Sequence, residues 1–118
     1  MPLKREHLDK SEAAENLGLS LDQTAPGALD WAIVLLFYSA LHQVEAYFAT
    51  KGLHSKDHRR RDSSVANDPN TKTIYRAYGR MKIDSLNARY FAVSFSSQTV
   101  AKNKADLEAI KTHLARFL

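Results

Sequence analysis

The chain contains no cysteine. Disulfides, thiolate metal sites and thiol catalysis are therefore excluded together. Its four glycines and three prolines are too few for a loop-rich scaffold. Nowhere do Val, Ile and Thr alternate with polar residues as they do along a half-buried strand. No glycine-rich phosphate loop and no nucleophile elbow is present, and no close pair of carboxylates suggests a general acid and base. The N-terminal stretch "MPLKREHLDKSEAAENLG" lacks the apolar centre of a secretory signal. The strongest apolar run, Trp31 to Leu41, is broken by His42, Gln43 and Glu45. A helix needs about 20 apolar residues to cross a bilayer, so this run reads as the core helix of a soluble, cytoplasmic protein with no membrane partner.

What remains is helical throughout. The 118 residues suit one domain, spanning 1–118. A first helix over 2–17 would bury Leu3, Leu8, Ala14 and Leu17, and Gly18 with Leu19 reads as a left-handed stop. Thr24 and Pro26 open a second helix over 26–51, apolar on nearly every side, which Gly52 and Leu53 end in the same manner. Ser55 would cap a short helix over 56–66. Asp68 before Pro69 signals the next, running to Tyr90 with Ile74, Ala77, Tyr78, Met81 and Ser85 inward. The stretch "FAVSFSSQT" is extended. A last helix from Ser97 or Thr99 carries Val100, Leu107, Ile110, Leu114 and Phe117 on one face, with Lys102, Asp106 and Lys111 turned away. The fold class is all-α: an antiparallel four-helix bundle with an additional short helix. A central helix that is apolar all round leaves surface for a second copy, hence a homodimer.

Charge is concentrated in one place. Lys51, Lys56, Arg59, Arg60 and Arg61 face only Asp57 between residues 51 and 61, enough to supply the whole formal net charge of +4. Such a segment either attracts phosphate or is solvated surface. His42 and Glu45 share a face of the second helix and serve either as register-setting polar contacts or as part of a site with the basic segment. His54 and His58 stand four apart, a spacing that suits a metal, but no third ligand is fixed by local spacing. No metal and no cofactor are assigned. For phosphate chemistry, His58 with Arg61, or His54 with Arg59, would supply a proton acceptor and a charge-stabilising guanidinium. Tyr75, Tyr78 and Tyr90 offer either stacking faces or core packing.

These residues carry a resemblance. Phe37-Tyr38, Ala40, His42, Glu45 and Ala46, then the glycine stop, Lys56 to His58, and Leu86, Arg89 and Tyr90 resemble the HEPN superfamily (higher eukaryotes and prokaryotes nucleotide-binding domain) over about residues 5–117. The resemblance implies a four- or five-helix bundle, often dimeric, of prokaryotic toxin–antitoxin and defence systems. Many such proteins are metal-independent ribonucleases; others bind nucleotides or partner a nucleotidyltransferase. Active members carry an arginine followed, after four to six residues, by a histidine. That motif is missing here, where His54 and His58 precede Arg59, Arg60 and Arg61. The expectation is an RNA- or nucleotide-phosphate-binding module, with His54, Lys56, Arg59, Arg60, His42 and Glu45 around the ligand. A divergent ribonuclease using His58 and Arg61 as catalytic residues is the first alternative. A non-catalytic dimerisation or protein-partner domain is the second.

Overall fold

The computed structural model describes residues 2–118 as five helices: α1 (Lys4–Ser20), α2 (Ala28–Thr50), α3 (His58–Asn67), α4 (Tyr75–Tyr90) and α5 (Ser97–Leu114). Single 3₁₀ turns, Lys72–Ile74 and Ala115–Phe117, precede α4 and follow α5. No strand occurs among the described residues; of "FAVSFSSQT", residues 91–96 form an irregular link and the last three residues are the first turn of α5. The result is the all-α, antiparallel four-helix bundle, with α3 as the additional short helix.

Helix α2 is the axis, packed against α1, α4 and α5. Ala32, Ile33, Leu36, Phe37, Ala40 and Val44 are wholly buried, joined by Tyr78 and Met81 of α4 and Leu107, Ile110 and Leu114 of α5. By length and composition α2 would also cross a membrane, but 78% of its most apolar window is covered by the rest of the chain. Trp31, at its start, is the exception and stays 62% exposed.

Helix α1 does not use the apolar stripe expected of it. Leu3 and Leu17 are exposed, and the buried face is His7, Ser11, Glu15 and Gly18. Ser11 Oγ donates to the Ser39 carbonyl at 3.0 Å, Ser39 Oγ donates to the Ser11 carbonyl at 2.9 Å, and Gln43 Nε2 donates to Ser11 Oγ at 2.9 Å. Lys111 of α5, rather than turning away, reaches Glu15 at 2.7 Å. Gly18 is not a stop. It lies inside α1, where an added Cβ would sit 3.2 Å from Leu35 Cβ, so its small size permits close approach to α2. As numbers rise along α1 (7, 11, 18), the α2 partners fall (42, 39, 35), which fixes the two as antiparallel.

The ends of the elements follow local chemistry. Thr24 bonds Asp22 instead of capping α2, whose N-cap is Gly27 with φ of 79°. Gly52, with φ of 72°, ends α2 as expected: its amide bonds the Ala49 carbonyl, and the Leu53 amide that of Phe48. Asp57, not Ser55, caps α3 by accepting from the Arg60 amide at 2.8 Å. Asp68 closes α3 and does not begin α4. It accepts from the Asn70 amide, the Tyr47 hydroxyl and the Lys51 ammonium, pinning the turn before α4 to the end of α2.

Candidate phosphate-facing corner

A carboxylate buried alone would be prohibitively costly, so Glu45, 2% exposed, requires a partner. Arg61 supplies it. From the first turn of α3 its Nε donates to Glu45 Oε1 at 2.6 Å, and its side chain is 10% exposed. The other carboxylate oxygen, Oε2, has the Ser55 amide at a long 3.4 Å. Arg61 Nη1 also donates to His58 Nδ1 at 3.1 Å. A guanidinium has no lone pair to offer, so His58 accepts at Nδ1 and carries its proton on Nε2. Burial lowers the His58 pKa, and Arg61, Lys82 and Arg89 lower it further. On the inner side of Arg61 lies the Tyr78 hydroxyl, buried without a hydrogen-bond partner among the described residues and pushed to higher pKa by that burial.

A second pair adjoins the first. His7 of α1 and His42 of α2 share a hydrogen bond between their Nδ1 atoms at 3.0 Å, with ring centroids 5.3 Å apart. Burial lowers His42 to about 4, helped by His7, Lys10 and Arg61, with Glu45 opposing. Burial also lowers His7, against the pull of Glu45. Both rings are therefore neutral near pH 7, one donating and the other accepting. His54, on the exposed link between α2 and α3, brings a ring nitrogen to within 4.8 Å of ligand atoms of His7 and Glu45.

The five basic residues divide into two groups. Lys51 is held by Asp68 at 2.7 Å and Arg61 by Glu45. Lys56, Arg59 and Arg60 remain at the surface, and among the described residues the one ion pair any of them makes is Arg60 with Asp57, at 3.9 Å. Lys56, Arg60 and His54 line a hollow of about 380 Å³ with Ser55, Ser63, Ser64, Leu53 and Phe48. His54 belongs to both places, the inner cluster and the hollow.

The structure thus brings His42, Glu45, His54, His58 and Arg61 into one region, with Lys56 and Arg60 at its outer rim and Arg59 on the exposed face of α3. Tyr75 and Tyr90 are exposed while Tyr78 is core. The sequence does not mark His7, Ser55 or Asp68 as site residues. For His7 a signal exists, since 7, 11, 15 and 18 form one helical face; its polarity hid it. No family model, curated protein or solved structure matches this chain.

Proposed function

We propose that the chain is a HEPN-like RNA-binding module of a prokaryotic toxin–antitoxin or defence system, cytoplasmic and dimeric, with Lys56, Arg59 and Arg60 gripping the phosphodiester backbone. The observation that carries this reading is the division of the basic segment. Lys51 and Arg61 are each held close by a carboxylate, whereas Lys56, Arg59 and Arg60 face solvent, Lys56 and Arg60 along a hollow rich in hydroxyls and bordered by Phe48 and Leu53. Clustered surface cations release condensed counterions on meeting a polyanion, a driving force that a closely paired cation does not supply.

Binding is favoured over cleavage because Arg61 and His58 are committed to one another. The His58 Nδ1 lone pair is taken by Arg61, and Arg61 is itself held by Glu45. Arg61 is tied to a buried carboxylate, and His58 can serve as a base at Nδ1 only by giving up its hydrogen bond from Arg61. The dimer finds support elsewhere on the surface: Leu17, Leu21, Pro26, Trp31 and Leu35 line an apolar hollow of about 440 Å³.

The test is fluorescence anisotropy with a labelled single-stranded RNA at low salt. Wild type binds, and a Lys56→Gln/Arg59→Gln/Arg60→Gln chain does not; equal affinity in the two, or no binding by wild type, overturns the proposal. In parallel, incubating RNA with the protein in EDTA leaves it intact. Cleavage abolished by His58→Ala would move the reading to the ribonuclease.

A further inference from the structure

We propose that His7, Glu45 and His54 form a binding site for a divalent first-row transition metal of the zinc type. The three come from α1, α2 and the link between α2 and α3, so the site exists only in the folded chain. Two imidazoles and one carboxylate are a donor set that zinc accepts with a fourth position left open. Nitrogen and oxygen donors of this kind also suit cobalt and nickel, whereas an all-oxygen set would suit magnesium or calcium.

Two of the ligands are already in place. His7 is 5% exposed and Glu45 2% exposed, each locked by helix packing. A ligand atom from each residue lies within 4.8 Å of the other two. Ligands on one zinc ion stand about 3.3 Å apart, given metal–nitrogen bonds of about 2.0–2.1 Å. Of the three, His54 is exposed and lies outside any helix, so its side chain is the freest to move toward an ion.

The surroundings resemble those a bound ion requires. Ligating residues are held by outer hydrogen bonds that orient them. Arg61 Nε already holds Glu45 Oε1 at 2.6 Å, leaving Oε2 with the Ser55 amide at 3.4 Å. A buried carboxylate oxygen with so weak a contact has lone pairs to offer. His42 holds His7 Nδ1 at 3.0 Å, which fixes the ring and leaves Nε2 as its second donor atom. The inference does not depend on RNA binding, because Lys56, Arg59 and Arg60 take no part in it, although His54 also borders the hollow that Lys56 and Arg60 line.

The test uses full-length protein stripped with EDTA and desalted. Titration calorimetry with ZnCl₂ reads the affinity, and CoCl₂ reports coordination through its visible absorption. The expected result is one saturable ion per chain and the intense visible bands of four-coordinate cobalt. His54→Ala lowers affinity by roughly tenfold or more, loses the cobalt bands, and leaves the metal-free unfolding midpoint unchanged, since His54 is exposed. His113→Ala, which removes a histidine bonded to the Asn70 carbonyl and outside the cluster, binds as wild type. No saturable binding of either ion, or undiminished affinity in His54→Ala, overturns the site.

Discussion

Arg61 Nε and Glu45 Oε1 lie 2.6 Å apart with both side chains shielded from water, joining α3 to the middle of the bundle. Removing one partner strands the other charge in a medium that cannot solvate it. Arg61→Ala is expected to cost about 3–5 kcal/mol in urea unfolding. A Glu45→Leu/Arg61→Met double variant should cost less than Arg61→Ala alone, because it leaves no orphan charge. A double variant at least as unstable as the single would contradict this account of the pair.

The pairing of His7 with His42 makes stability depend on pH. His42 is held at about 4 in the folded chain, chiefly by burial and then by His7, Lys10 and Arg61, with Glu45 opposing, against 6.5 in its ordinary state. The unfolded chain binds more protons between those values, so stability is complete above pH 6.5 and falls as pH drops toward 4. The loss attributable to His42 is on the order of 1–2 kcal/mol, less than the whole shift because the ring is only half-buried and solvent screens it. His7 and His58, also lowered, add to it in the same direction. Urea midpoints measured in EDTA from about pH 7.5, roughly one unit above an ordinary histidine, down to about pH 4 should trace that slope. His42→Gln should flatten it.

Two glycines should respond to alanine with opposite signs. Gly79 is inside α4, and nothing lies within 4 Å of an added Cβ. Gly79→Ala is therefore expected to stabilise by up to about 1 kcal/mol, the helix-propensity difference. Gly52 also has open space, but its φ of 72° is the left-handed conformation that L side chains resist. Gly52→Ala should destabilise by about 1–2 kcal/mol. Thermal midpoints moving in the same direction would refute the assignment.

The polar seam between α1 and α2 should behave as a unit. Ser11 Oγ donates to Ser39 O and accepts from Gln43 Nε2, so Ser11→Ala orphans buried groups on α2. Its expected cost is about 1–3 kcal/mol. Adding Ser39→Ala should cost less than the sum of the two singles, which a double-mutant cycle measures.

The sequence reveals α2 most clearly, because an unbroken apolar run followed by Gly-Leu has few other interpretations. It conceals α1, whose buried residues are polar and whose leucines face outward. Gly18 shows the ambiguity in small form: a glycine near a helix end, followed by leucine, suits a left-handed stop and a close helix contact equally well. The site was half legible. His42, Glu45 and the basic segment stand out by type, but their pairing depends on tertiary placement. Helical phase does separate Arg61 from its neighbours, since Val65, one turn on, is core and Arg61 shares its face. Which carboxylate it meets could not be read locally, because Glu45 lies 16 residues away on another helix.

The central claim is that Lys56, Arg59 and Arg60 contact phosphate while Lys51, tied to Asp68, does not. The salt dependence of RNA affinity tests it most directly. For single strands, each lost phosphate contact reduces the slope of log affinity against log salt by about 0.7. We expect a reduction of that size for each of Lys56→Gln, Arg59→Gln and Arg60→Gln, and none for Lys51→Gln. A slope that is the same in all four variants, or steepest in its dependence on Lys51, would contradict the account.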